Sequence, residues 1–205
     1  YDEAVSNDFV WSQGGRKIDF ISRDSDDWTI TFVETGANAT IGERLKAVEP
    51  YLRNEEMFLA NYGDGLSDLK LPVMIDRFRR SDAVGALLLV QPTASFDIVK
   101  LSPGGKVAQV SALSRSDIWI NGGYFVFRNE IFRYIKAGEE LVREPFQRLI
   151  EQGALLAHQC DGFWQCMDTF KDKQRLEELN QSGAPWKVWT KAAAAADEPA
   201  KLAVA

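Results

Sequence analysis

Histidine occurs once and cysteine twice among the 205 residues, and basic side chains are outnumbered, 24 Lys and Arg against 30 Asp and Glu. Each shortage excludes something. Cys160 and Cys166 form no CxxC pair and the one histidine is His158, too thin a ligand set for a structural zinc site. Free thiols in a reducing compartment are the expectation. A net charge of -6 supplies no basic field of the kind that holds nucleic acid. It does not exclude an anionic small substrate, because local arginines or a metal can bind one. No apolar run approaches the roughly 18 to 20 residues that cross a bilayer, and no signal-peptide pattern opens the chain. The expectation is a cytoplasmic protein with neither nucleic acid nor membrane as partner. The first residue is Tyr1 rather than methionine, which suggests a segment upstream.

What is present is enough for one sizeable core: 45% hydrophobic and 11% aromatic residues. "WTITFVET" (28–35) is β-branched and aromatic and predicts a strand. Apolar positions 41, 45, 48 and 52 predict an amphipathic helix over 41–52. A short apolar strand (57–60) then runs into "YGDG", and "DLKLPVMIDRFRRSD" predicts a second helix with Pro72 near its start. "VGALLLVQP" (84–92) is a continuous apolar run of buried-strand type, stopped by Pro92. This alternation points to a parallel α/β sheet. Further on, "FDIVKLSPGGKVAQVSAL" predicts a hairpin. "WINGGYFVFRNEIFRYI" (119–135) predicts a strand flowing into a helix, and 144–153 a helix closed by Gly153. Residues 154–169 suggest two short β segments broken at Asp161-Gly162, followed by a charged helix ending at Gly183. The alanine-rich tail, 190–205, is low in complexity.

Several residues carry candidate chemistry. Asp64 lies between Gly63 and Gly65 at the end of a strand, where open α/β sheets bind ligands. It reads equally as a metal or phosphate ligand, with glycines admitting close approach, or as a simple turn. Asp168 follows an apolar segment just before a helix and is either a second metal carboxylate or a helix cap. The pair Gly122-Gly123 inside an apolar strand marks a bulge or a close approach. Glu144 is a sugar contact or the acidic first turn of a helix. Trp119, Trp164, Trp186 and Trp189 suit a core or an interface, His158 a structural role, and Cys166 burial.

Taken together these stretches resemble the sugar nucleotidyltransferases, and within them the glucose-1-phosphate cytidylyltransferases. The family's "YGDGxSD" matches Tyr62 to Asp68, "WINGGFFV" matches Trp119 to Val126, and "EPLxxL" matches Glu144 to Leu149. A long block from Gln159 to Trp189, "DGFWQCMDT…APWKVW", is nearly reproduced, and "VETGANATIGERLKAV" (33–48) is similar to a further family stretch. The resemblance covers roughly residues 28–189. It implies a Rossmann-like α/β fold with a mostly parallel central sheet, helices on both faces and a small β extension. It also implies transfer of a cytidylyl group from CTP to glucose 1-phosphate or a related hexose 1-phosphate. Under it Asp64 and Asp168 hold Mg²⁺. Thr40, Gly42 and Arg44 lie by the nucleotide, and Asn121, Gly122, Gly123 and Glu144 line the sugar pocket. A homo-oligomer is expected, and the product feeds modified sugars of cell-surface polysaccharide.

Two family features are missing from these residues: the glycine-rich "GGxGTRLxPxTxxxPKPM" opening, and the "EKP" before the sugar strand, where "VSALSRSDIWINGG" stands instead. Arg115 is the candidate replacement charge. Absence of that lysine motivates a competing expectation, a relative that binds nucleotide or sugar phosphate without turnover. A glycosyltransferase using "DSDD" (24–27) as its acidic metal motif is a weaker competitor, since the motif precedes the first strong strand.

Overall fold

A computed structural model describes residues 9–20, 29–93 and 96–189. The tail at 190–205 and "DSDD" lie outside the described residues. The chain divides into two units, Tyr1–Glu34 and Thr35–Ala205. Strands β1 (Phe9–Ser12) and β2 (Lys17–Phe20) of the first unit pair antiparallel, a hairpin that is not among the elements expected from the sequence. The strand expected at 28–35 is not formed over the described residues 29–35. Ile30 and Phe32 are exposed there, and no described strand pairs with them. β-branched and aromatic residues favour a pleated, half-buried surface, and without one their propensity has nothing to act on.

The second unit is built on a four-stranded sheet in the order β3 (Met57–Asn61), β8 (Ile120–Arg128), β5 (Gly85–Val90), β9 (Leu155–Cys160). β5 and β9 are parallel, and β8 runs antiparallel to both β3 and β5. Three of the four strands therefore point the same way, with β8 inserted against them. A three-residue strand, β4 (Gly65–Ser67), pairs antiparallel with β10 (Trp164–Cys166) beyond the sheet. The β extension is a separate hairpin of β6 (Asp97–Leu101) and β7 (Val107–Ala112). The expected α/β class is the one observed.

Side-chain alternation places helices on both faces. Phe125 and Phe127 of β8 join Phe58 of β3 in one buried cluster, while the intervening Val126 joins Ala86, Leu88 and Val90 of β5 in another. The first cluster is covered by α1 (Ile41–Leu52), through Leu45 and Leu52, and by α3 (Glu144–Glu151), through Phe146 and Leu149. The second is covered by α2 (Leu71–Arg79), through Met74 and Phe78. The segment after β8 is a 3₁₀ turn, Asn129–Arg133, that buries Ile131 and Phe132, rather than the regular helix its apolar spacing suggested.

A polar brace ties α1, α3 and the segment between β8 and α3 together. Arg148 donates to both carboxylate oxygens of Glu139 and to the Tyr134 carbonyl. Thr40 donates its hydroxyl to the Glu139 carbonyl at 2.8 Å. The Arg148 guanidinium holds the Glu139 carboxyl far below the usual range, at about 2. A carboxylate with a depressed native pKa stabilises the fold above its unfolded value near 4.5, and that contribution disappears as the pH falls toward about 2. We expect Arg148→Ala to lower the melting temperature at pH 7 and to shrink the acid-induced loss between those two pH values, as read by circular dichroism melts. Phe127 is fully buried, with ring centroids 5.5 Å from Phe125, 5.8 Å from Phe58 and 6.3 Å from Phe146. Phe127→Ala should cost about 3–5 kcal/mol in urea unfolding, through lost burial and the cavity left behind.

Candidate active site

Strand directions gather the motifs at one edge of the sheet. β3, β5 and β9 all end there, and β8, running the other way, begins there with Ile120 and Asn121. The Tyr62-Gly63-Asp64 turn therefore leaves β3 at the edge where β5 runs into Gln91 and Thr93 and β9 runs into Asp161. This is the edge at which α/β sheets bind ligands.

The β4–β10 ladder then brings together the segments that carry the two candidate acids, although they are far apart in the chain. Gly65 pairs with Cys166, Leu66 with Gln165 and Ser67 with Trp164. One step beyond, the Met167 N–H donates to the Asp64 carbonyl at 2.8 Å, so the backbone of Asp64 lies beside the residue that precedes Asp168. Both aspartates are exposed. Two aromatic side chains fasten this ladder to β8. The Tyr124 hydroxyl donates to the Gly65 carbonyl at 2.7 Å, and the Trp164 indole N–H donates to the Gly122 carbonyl at 2.9 Å. From the sequence the expectation for Trp164 is a core or an interface, and Tyr124 is not among the expected site residues. The available signal was an aromatic ring with a polar tip inside each motif, since a buried ring of that kind finds a partner for the tip.

The local alternatives can now be weighed. Thr169, not Asp168, caps the helix that follows, α4 (Phe170–Gln181), and Thr169 and Asp172 exchange both bonds of a capping box. Asp168 is thus not spent as a cap, and its Oδ2 lies 3.1 Å from the Cys166 sulfur. Burial first, and the Asp168 carboxylate second, push the Cys166 thiol up to about 11, so it is protonated at neutral pH. Around Asp64 neither glycine is demanded by the fold. Neither has a left-handed φ; a Cβ on Gly63 would meet open space, and one on Gly65 only ordinary contacts at 3.7 Å or more. The pair Gly122-Gly123 is the opposite case. Between Leu87↔Phe125 and Leu89↔Asn121, two steps along β5 span four along β8, so the glycines sit in a bulge. Gly123 has φ +76°, and a Cβ on it would press the Tyr62 ring, while one on Gly122 would press Leu88 and Val90.

The remaining candidates have visible local partners. Thr40 caps α1 in a capping box with Glu43, and Gly42 packs against the Glu139 backbone, where a Cβ would overlap the carbonyl. Arg44 donates to the carbonyls of Ala39 and Ala37 and so holds the turn before α1. The Asn121 side chain accepts from the Gly123 N–H at 2.9 Å. Burial, as the largest effect, pushes the Tyr62 hydroxyl upward, with the Asn121 hydrogen bond opposing it. Glu144 opens α3 and lines a cavity of about 790 Å³ with Leu87, Leu89, Arg143, Gln147 and Leu155. That cavity does not include Asn121, Gly122 or Gly123. At the sheet edge a crevice of about 360 Å³ is lined by Gln91, Thr93, Ser114, Asp161 and Trp164. A smaller one of about 310 Å³ is lined by Gly63, Asp64, Met167, Lys173 and Asn180. His158 Nδ1 is buried without a partner, and burial, then Arg77, keep the imidazole below its usual pKa, in keeping with a structural role.

The donor set suits a hard cation. Among the described residues no group of three or more His, Cys, Asp or Glu is placed to hold a metal. Two exposed carboxylates beside glycines that leave room fit an ion that takes one or two carboxylates and completes its shell from substrate phosphates.

No family model matches the chain. It is 36% identical over 165 residues to the glucose-1-phosphate cytidylyltransferase of Salmonella typhi, a match covering 79% of this chain and 64% of that protein. The protein of the same name from Salmonella typhimurium gives the same identity and coverage. The likeness fits a sugar nucleotidyltransferase family. The chain spans 64% of the length of these curated relatives. A crystal structure from Bacillus anthracis, bearing the name of a glucose-1-phosphate thymidylyltransferase, superposes with a TM-score of 0.52 at 16% identity. It covers 70% of this chain and 62% of that one, and it shows the shared fold. Among the described residues no helix is long and apolar enough to cross a membrane.

The contrast between the glycines can be measured. Gly123→Ala should destabilise by about 1–3 kcal/mol, from a strained φ and a displaced ring. Gly63→Ala should stay within about 0.5 kcal/mol of the parent in urea unfolding.

Proposed function

We propose that the chain carries the metal-binding part of a sugar-1-phosphate nucleotidyltransferase that transfers a cytidylyl group from CTP to glucose 1-phosphate or a related hexose 1-phosphate. One observation carries this reading. The β4–β10 ladder sets Asp64 beside the residue preceding Asp168, at a sheet edge where the flanking glycines are required by nothing in the fold. Similarity to the Salmonella enzymes supports the choice of reaction.

The chemistry needs little from the protein beyond alignment and charge. A phosphate monoester has its second pKa near ~6, so the nucleophile is already an anion at neutral pH and no general base is required. Its oxygen attacks the α-phosphorus of CTP in line, a new P–O bond forms, and the α–β bridge breaks with pyrophosphate leaving on the opposite side. Asp64 and Asp168 would hold a Mg²⁺, which when bound neutralises charge on the phosphates. Thr40, Gly42 and Arg44 are assigned to the nucleotide side, where Arg44 fixes the 36–39 turn through two carbonyls. Asn121, Gly122, Gly123 and Glu144 are assigned to the sugar, the first three at the edge of the sheet and Glu144 from its own cavity. A cytoplasmic homo-oligomer supplying modified sugars for cell-surface polysaccharide completes the reading. Missing Glu-Lys-Pro before Trp119 favours one competitor, a binding protein without turnover.

Pyrophosphate release by the full-length protein separates the two. With CTP, glucose 1-phosphate and Mg²⁺ we expect steady turnover, reduced at least about a hundredfold in Asp64→Asn and in Asp168→Asn, as loss of several kcal/mol of charge stabilisation requires. Binding of CTP without turnover on any hexose 1-phosphate would instead establish the competitor.

A further inference from the structure

Cys166 has no part in the reaction just described, yet its side chain touches the Asp168 carboxylate. Its sulfur lies 3.1 Å from Asp168 Oδ2, while the following residue, Met167, holds the Asp64 carbonyl at 2.8 Å. Two consecutive residues thus control both acids, one through its side chain and one through its backbone. Cys166 is itself fixed, because it pairs with Gly65, whose carbonyl accepts from the Tyr124 hydroxyl. We propose that Cys166 is a positioning residue: its S–H donates to Oδ2 of Asp168 and leaves Oδ1 turned free for a divalent cation shared with Asp64. This rests on the metal-site reading above. An aspartate between the end of a strand and the start of a helix has several rotamers, and a donor on one oxygen selects among them before the ion arrives. Groups of this outer kind typically change metal affinity by 10- to 100-fold when removed. A serine hydroxyl at the same position retains a donor, whereas valine keeps the apolar bulk and loses it.

The test is a Mn²⁺ titration of the full-length protein followed by electron paramagnetic resonance, with MnCl₂ as the only probe. Cys166→Val and Cys166→Ala are expected to raise the Mn²⁺ dissociation constant about tenfold, and Cys166→Ser to stay within about twofold of the parent. In the activity assay the same valine variant should need more Mg²⁺ for half-maximal pyrophosphate release, with kcat restored at saturating Mg²⁺. A merely structural role would lower kcat and melting temperature instead. Asp64→Asn and Asp168→Asn serve as the reference. If both bind Mn²⁺ like the parent, the metal reading falls and this inference with it. If they lose the ion while Cys166→Val and Cys166→Ala keep parental affinity, the positioning role alone is overturned.

Discussion

A single backbone hydrogen bond, from the Met167 N–H to the Asp64 carbonyl, is the last tie between the segments that carry the two aspartates. It terminates a ladder of only three residue pairs, and a two-stranded ladder of that length is not stable by itself in water. Such a bond is worth about 1 kcal/mol. What keeps the ladder in place is β8, which receives the Trp164 indole at Gly122 and sends the Tyr124 hydroxyl to Gly65. Register matters as much as energy. A slip of one residue would put Asp64 opposite a different neighbour and turn every side chain of β10 to the other face.

β8 in turn is fixed by its position in the sheet. It is hydrogen-bonded on both sides, to β3 and β5, and alternates its side chains between two buried clusters, so it cannot slide without exposing Phe125 or Phe127. The bulge at Gly122 and Gly123 interrupts the pairing of β8 with β5 just where the ladder attaches, and pairing resumes at Asn121 and Ile120. The glycines of the two motifs therefore do different jobs. Those in β8 are needed for backbone shape and packing, whereas around Asp64 a Cβ on Gly63 would meet open space and one on Gly65 only ordinary contacts.

Much of this was legible in the residues, for reasons that can be named. Long segments such as the periodic 41–52 and the apolar run 84–92 form the expected helix and, over Gly85–Val90, the expected strand, because a continuous core exists to reward their pattern. Asp64 and Asp168 could be singled out from their neighbours, but their proximity depends on a ladder between distant segments, and β4 was too short to register as a strand. The cap alternative for Asp168 fails because Thr169 and Asp172 exchange the capping bonds, a pairing for which Thr-x-x-Asp is the signal in the sequence. The Cys166–Asp168 contact was hidden because side-chain direction at the end of β10 follows from its pairing. The segment 29–35 misled for the converse reason, since strong β propensity says nothing about whether a partner strand is there.

The central claim is that Asp64 and Asp168 serve one cation. Crystals of the full-length protein soaked in MnCl₂ and CTP, measured for anomalous scattering, test it directly. The account predicts a manganese peak bridging the two carboxylates and the nucleotide phosphates. A peak bound to CTP but away from both aspartates, or one ligated by either aspartate alone, would contradict it.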